Sequence, residues 1–129
     1  MSYVIPNLAT FTARFANRAI GTGQCVALVE AAIPGMPRTP GWKEGRKVQG
    51  DLTVPCGAAI ACFDPDGTFG NHTDGRSHAA IYLGQTKEGL VVWDQWLGQP
   101  AGTRLIRFRP PGEGLAVNNG STFSVIEPF

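Results

Sequence analysis

Apolar residues recur at helical spacing near the start of the chain and form short runs and alternations in the rest. The first predicted helix has an apolar face made of Leu8, Phe11, Phe15 and Ala19. With Asn7 as a favourable N-cap, this spacing predicts a helix over residues 8–19. A second helix is predicted over residues 24–33, between Gly21-Thr22-Gly23 and Pro34-Gly35. Its expected packing face consists of Ala27, Leu28, Ala31 and Ala32.

Strand patterns begin only after a long stretch that is rich in proline and glycine. Residues 34–57 predict an irregular surface segment, in which Trp42 is an anchor or a groove-lining residue. The predicted strands follow at residues 58–63, 78–84, 90–96, 103–108 and 122–126. Because helices come first and strands afterwards, we predict an α+β fold with a hairpin around the turn at residues 87–89. A length of 129 residues without an internal repeat predicts one domain, residues 1–129.

The composition argues against several classes of function. Hydrophobic residues make up 43% and charged residues 16%, which is typical of a folded globular chain. The net charge of +1, without runs of like charge, gives no support for binding nucleic acid or a membrane surface. No apolar run is long enough for a transmembrane helix. The first residues lack a basic region followed by an apolar stretch, so we expect synthesis in the cytoplasm without a general secretory signal.

The cysteine and histidine spacings do not predict a disulfide framework or a metal site. Three cysteines leave at least one thiol outside any intramolecular disulfide. Cys56 and Cys62 are expected to be reduced, although a bend at Gly57 would let them approach each other. There is no C-x-x-C or H-x-x-x-H spacing, and residues 64–67 predict a turn rather than a calcium loop. We therefore expect no metal and no other cofactor.

Cys25 differs from the other two cysteines because it follows a glycine-rich turn and opens a predicted helix. A helix N-terminus lowers the pKa of a thiol, and its free N–H groups can donate to an oxyanion. The side-chain amide of Gln24 is a second candidate donor. The alternative is a buried cysteine without chemical function, which is the commoner fate of a single cysteine.

His78 and Asp94 are the residues that would complete a nucleophilic site with Cys25. His78 opens an apolar strand, whereas His72 lies in a polar, turn-rich stretch and is expected to be a solvated loop histidine. Asp94, at the end of the next predicted strand, would orient the imidazole and stabilise its cation. The rival orienting residues are Gln95, Asn118, Asn119 and, more weakly, Asp74.

The motifs around Cys25 and His78 resemble those of a known enzyme group. Gly-Gln-Cys at residues 23–25 resembles the nucleophile motif of CHAP amidases. Residues 77–84 resemble the histidine strand of CHAP and NlpC-like enzymes, and residues 55–61 resemble the strand that precedes it. The likeness covers residues 7–126 in the papain-like order. It implies a papain-like fold with N-terminal helices packed on an antiparallel sheet.

This resemblance implies a cysteine amidase or endopeptidase that hydrolyses amide bonds in the stem peptides of bacterial peptidoglycan. Cys25 carries over as the nucleophile and His78 as the general base, and Asp94 fits a third position that varies within the group. Without a signal peptide or a wall-binding domain, the chain resembles the single-domain amidases that type VI secretion delivers into rival bacteria. That likeness implies activity in the periplasm of the target cell and a small immunity protein as a partner.

Two questions stay open at the level of sequence. Trp42, Tyr82 and Trp96 are candidates for lining the substrate groove, but each is at least as suited to the core. The alternatives to a hydrolase are a catalytically inactive papain-fold binding module and a thiol-dependent acyltransferase or deamidase.

Overall fold

Residues 3–127, which the computed structural model describes, form two α-helices and one six-stranded sheet. The elements are α1 Leu8–Phe15, α2 Cys25–Ala32, β1 Lys43–Lys47, β2 Ala59–Cys62, β3 Ala79–Gln85, β4 Gly89–Trp96, β5 Gln99–Arg107 and β6 Phe123–Glu127. The strand order is β1-β6-β2-β3-β4-β5, and every neighbouring pair is antiparallel. The predicted α+β fold with an antiparallel sheet is confirmed. Within these residues no helix is long and apolar enough to cross a membrane.

Helix α1 is shorter than its sequence pattern predicts. It ends at Phe15, because Asn17 adopts a left-handed φ of 62° and its N–H donates to the carbonyl of Ala101 at 2.9 Å. Ala19 therefore lies outside the helix and is exposed, and the predicted extent to residue 19 is wrong. Asn7 occupies the N-cap position but makes no side-chain capping hydrogen bond.

Helix α2 begins within one residue of its predicted start, but its packing face is rotated from the prediction. The residues that it buries are Val26, Leu28, Val29 and Ala32. Ala31 is exposed and Ala27 is half-buried, so their assignment to the packing face is wrong. Apolar residues almost surround this short helix, and the sequence pattern alone does not define which side meets the sheet. The larger side chains Leu28 and Val29 take the fully buried positions against β3 and β4.

Strand β1 lies inside the segment that was expected to be irregular. Its sequence, Lys43-Glu44-Gly45-Arg46-Lys47, is charged, and it pairs with β6 at the edge of the sheet. Charged edge strands are common because they discourage pairing with other chains. Such a strand carries no alternation of apolar and polar residues, which is why the pattern along the chain does not reveal it.

Apolar clusters cover both faces of the sheet, and they include two of the expected groove residues. Trp42 belongs to the cluster on the helix side and is 2% exposed, with its Nε1–H donating to the carbonyl of Pro37. Tyr82 belongs to the cluster on the other face and is 3% exposed. Both are core residues, so the expectation that they line a substrate groove is wrong. Aromatic side chains in strands fit either environment, and only the tertiary packing decides between them.

Candidate active site

The register of the β3–β4 hairpin brings the expected histidine and carboxylate together. Ile81 pairs with Trp93, and continuing this register places His78 opposite Trp96 and Asp94 opposite Ala80. His78 and Asp94 are therefore diagonal neighbours on one face of the sheet. The His78 Nε2 and Asp94 Oδ2 atoms are 2.7 Å apart, and both side chains are almost fully buried.

The buried position of His78 does not keep its imidazole neutral. Burial alone lowers the pKa of a histidine, but hydrogen bonds to Asp94 and to the neighbouring Cys25 thiol outweigh it and raise the pKa of His78 to about 9. Because Nε2 donates to Asp94, Nδ1 is the ring nitrogen left to face Cys25. The site thus holds a base whose cationic form is stabilised by a fixed carboxylate.

Arg104 is a third member of this row that sequence reasoning missed. It pairs with Val92 across the β4–β5 ladder and so lies diagonal to Asp94 on the same face. Its Nε donates to Asp94 Oδ2 at 2.8 Å, and its guanidinium carbon lies 4.8 Å from the centre of the Trp96 ring. The two-residue turn after Trp96 predicts the β4–β5 hairpin, but a register shift between Asp94 and Trp96 decides that Arg104 shares a face with Asp94, and no sequence signal marks that shift.

Cys25 follows a loop that is held by a side chain of β4. This side chain lies on the face of the sheet opposite to His78 and Asp94. Gly23 adopts a φ of 85°, a conformation that favours glycine, and its N–H donates to the carbonyl of Ile20. Gln95 is fully buried and makes three hydrogen bonds of 2.8–2.9 Å, two with the backbone of Ile20 and one with the carbonyl of Gln24. This clamp fixes the residue before Cys25, which begins α2 and is half-buried.

A cleft of about 450 Å³ opens over these side chains. Its walls are formed by Gln24, Cys25, Asn71, His72, Thr73, Gly75, Ser77, His78, Trp96, Leu97, Arg104, Val117 and Asn118. Cys25 and His78 therefore share one cavity, with Gln24 beside the thiol. Trp96 is 41% exposed and Leu97 is 65% exposed, and both offer apolar surface at the rim.

Another part of the cleft wall is a loop around residues 71–77 that a second histidine ties down. His72 Nε2 lies 2.9 Å from Asp64 Oδ2, and its Nδ1 lies 3.1 Å from a guanidinium nitrogen of Arg76. The expectation of a solvated loop histidine is wrong, because these partners hold His72 half-buried in the cleft wall. Gly75 in the same loop has a φ of 92°, and a Cβ there would lie 2.8 Å from the side chain of Leu115.

Among the described residues, the rival orienting residues make no hydrogen bond to the His78 imidazole. Gln95 faces the Cys25 loop, and Asn119 is buried where its side chain accepts from the N–H groups of Arg109 and Ser121. Asn118 reaches the cleft wall without a hydrogen bond to the imidazole, and Asp74 is exposed beside Arg76. Asp94 is thus the carboxylate that the geometry favours.

The remaining cysteines occupy different environments from Cys25. Cys56 is exposed, and Cys62 is buried with its Sγ 3.3 Å from the Thr122 hydroxyl. Burial raises the pKa of the Cys62 thiol to about 12, which disfavours a thiolate there. Within residues 3–127, no group of three or more His, Cys, Asp or Glu side chains is arranged to hold a metal ion.

The arrangement of helices and sheet defines the class of protein. A solved structure of type 6 secretion amidase effector 2 superposes on this chain with a TM-score of 0.80 and 28% identity, covering 97% of this chain and 94% of that one. The fold is therefore the papain-like α+β fold of an amidase effector, as the sequence motifs implied.

The family follows from matches along the sequence. The family model for domesticated amidase effector 2 matches residues 5–126. A domesticated amidase effector 2 from Ixodes scapularis is 34% identical over 108 residues, which are 81% of this chain and 70% of that protein. A type VI secretion amidase effector 2 protein from Salmonella typhi is 40% identical over 74 residues. These residues are 57% of this chain and 53% of the Salmonella protein, so the chain matches about half the length of that relative. The chain belongs to the domesticated amidase effector 2 family, and the expected likeness to type VI secretion amidase effectors is confirmed.

Proposed function

We propose that the chain is a cysteine amidase that hydrolyses amide bonds in the stem peptides of bacterial peptidoglycan. The observation that carries the proposal is the buried hydrogen bond between His78 and Asp94 at a cleft that also contains Cys25. A thiol at a helix start beside an oriented imidazole is the arrangement that nucleophilic amide hydrolysis requires. The names of the relatives, which are amidase effectors, support the reaction class.

The proposed reaction proceeds in two stages. His78 Nδ1 takes the proton of the Cys25 thiol, so that the two side chains form an ion pair before the substrate reacts, and the thiolate attacks the carbonyl carbon of the amide. The oxyanion is held by the backbone N–H of Cys25 at the start of α2, with the side-chain amide of Gln24 as a second donor. The C–N bond then breaks as His78 returns the proton to the leaving amine. Water, deprotonated by His78, hydrolyses the thioester and restores the free thiol.

The substrate peptide is expected to lie along the rim formed by Trp96 and Leu97. Both side chains are exposed beside the catalytic row, so they can pack against an extended peptide without rearrangement of the core. Trp42 and Tyr82 take no part in this contact, because both are buried.

The bacterial relative's name suggests the route and the setting of this activity. We propose delivery by type VI secretion into the periplasm of a target cell, where peptidoglycan is accessible. A small immunity protein that covers the cleft would then protect the producing cell. These two points rest on the likeness to secreted effectors rather than on the geometry of the site.

The test compares two cysteine variants on purified sacculi. Cys25→Ala should abolish the release of soluble fragments while its circular dichroism spectrum stays that of the wild type. Cys56→Ala, the same change at an exposed thiol, should release fragments at the wild-type rate. Mass spectrometry should find new termini that have gained one water.

Each other outcome of this test has a defined meaning. Fragment release by Cys25→Ala would exclude the proposed nucleophile. Products without added water would indicate acyl transfer, and binding of sacculi by the wild type without new termini would indicate a binding module. Iodoacetamide should block the wild-type activity, with peptide mapping locating the modification on Cys25.

A further inference from the structure

We propose that Arg104 binds a carboxylate of the substrate, so that the enzyme selects acidic stem peptides over amidated ones. The proposal rests on the proposed function of the same cleft, and it adds the chemical group that the cleft recognises. Its starting point is the position of Arg104, which lines the cleft beside His78 and remains 25% exposed although it contacts buried Asp94.

The first step concerns the hydrogen-bonding capacity of the Arg104 guanidinium. The group has five N–H donors, and the Nε–H is used by Asp94. One terminal nitrogen of Arg104 lies 3.3 Å from His78 Nε2. The histidine nitrogen, however, donates its own hydrogen to Asp94 and cannot also accept one from Arg104. Among the described residues no other acceptor binds the guanidinium. Its terminal N–H groups are therefore left for a ligand or for water.

The second step concerns the orientation of the guanidinium. Asp94 fixes Nε from behind, and the Trp96 ring lies 4.8 Å from the guanidinium carbon. A planar guanidinium held in this way matches a carboxylate through two parallel hydrogen bonds. Because Asp94 and Trp96 already hold the Arg104 side chain, little conformational entropy is lost when a ligand binds.

The third step concerns the charge of the cleft. The ionisable side chains on its walls are Cys25, His72, His78 and Arg104, and no aspartate or glutamate is among the lining residues. Asp94 lies behind this wall, with its side chain 1% exposed. The surface that a substrate meets therefore offers cationic donors and no competing carboxylate, which favours an anionic group.

The fourth step concerns distance along the substrate. The imidazole of His78 separates the guanidinium of Arg104 from the thiol of Cys25. A carboxylate bound to Arg104 would thus be separated from the reacting carbonyl by the width of the imidazole ring and by one hydrogen bond on each side of it. That separation corresponds to about two residues of extended chain. The recognised carboxylate is therefore expected on a residue close to the scissile amide and not on the reacting carbonyl itself.

The experiment measures selectivity between two matched substrates. One is a set of purified muropeptides with free carboxylates, and the other is the same set after carbodiimide-mediated amidation with ammonia. The wild type should show a kcat/KM that is roughly 10- to 100-fold higher for the free acids, the range expected for a charge-assisted pair. Arg104→Gln should reduce this ratio to about 1, even if it also slows both reactions through Asp94.

Arg107→Gln is the matched control, because Arg107 lies on the same strand but pairs with exposed Glu88 away from the cleft. It should keep the wild-type ratio. If Arg104→Gln does not fold, Arg104→Lys replaces it, and at least about a threefold loss in the ratio is expected because lysine lacks the planar fork. A wild-type ratio near 1, or a wild-type ratio retained by the Arg104 variant, would overturn the proposal. Failure of the wild type to cleave either set would instead count against the proposed function.

Discussion

Replacement of Asp94 by asparagine removes one negative charge from the site while it preserves the size of the side chain. The carboxylate is buried, and the same oxygen, Oδ2, lies 2.7 Å from His78 Nε2 and 2.8 Å from Arg104 Nε. An asparagine oxygen in that position can accept both hydrogen bonds. The substitution therefore tests the charge of Asp94 with little change in its contacts.

The size of the effect follows from the pKa of His78. Burial lowers this pKa, but hydrogen bonds to Asp94 and Cys25 raise it from 6.5 to about 9. At 1.36 kcal/mol per pKa unit, the imidazolium is favoured by about 3 kcal/mol. The imidazolium is the form that protonates the leaving amine, so losing the part of this stabilisation that comes from the charge of Asp94 predicts a fall in kcat of roughly 10-fold. The pKa of His78 should fall clearly below that of the wild type, because the contribution of Cys25 remains while that of the Asp94 charge is lost.

The assay combines steady-state hydrolysis of muropeptides with an NMR titration of the imidazole protons. The chain has two histidines, and the His72→Gln variant identifies which signals belong to His78. Asp66→Asn serves as the control, because Asp66 is exposed in a turn and its side chain accepts hydrogen bonds from Thr68, away from His78. If Asp94→Asn kept a wild-type kcat and a His78 pKa near 9, the assignment of Asp94 as the charge partner would be refuted.

The raised pKa of His78 and the hydrogen bonds of Gln95 each predict a change in stability. Since protonation of His78 favours the folded state, its contribution is complete below pH 6.5 and is lost as the pH rises to about 9. The wild-type Tm should fall across this range by more than that of His78→Gln, and parallel Tm curves would contradict the argument. Gln95→Ala removes the three hydrogen bonds of a fully buried side chain and should lower the free energy of unfolding in urea by about 3 kcal/mol. The control Gln49→Ala, at an exposed position, should change it by less than about 0.5 kcal/mol, and a loss below about 1 kcal/mol for Gln95→Ala would disprove the clamp.

The parts of the site that the sequence predicts are those fixed by local signals. The turn at residues 87–89 lies between two apolar strands, so the hairpin follows from local signals, whereas the approach of His78 to Asp94 also depends on the register shift between Tyr82 and Gly84. The start of α2 is marked by Gly21-Thr22-Gly23, which places Cys25 at a helix N-terminus. In both cases, neighbouring residues along the chain carry the information.

The parts that the sequence does not predict depend on contacts between distant segments. Strand β1 is charged and is held by pairing with β6, far away along the chain. The aromatic side chains of Trp42 and Tyr82 would suit a substrate groove as well as the core, and only the packing of the sheet buries them. Arg104 was missed because a register shift between Asp94 and Trp96, which the sequence does not mark, decides which side chains of β5 share a face with Asp94.

The two halves of the candidate site meet through adjacent residues of β4. Asp94 faces the row that contains His78, and Gln95, the next residue, faces the loop that carries Cys25. Successive side chains of a strand point to opposite faces, so one strand positions the base from one side and the nucleophile from the other. A register slip of one residue would exchange the two side chains and separate both partners at once. The pairing of β4 therefore sets the geometry of the site, and Gly89 protects that pairing, because a Cβ there would collide with the carbonyl oxygen of Ile106.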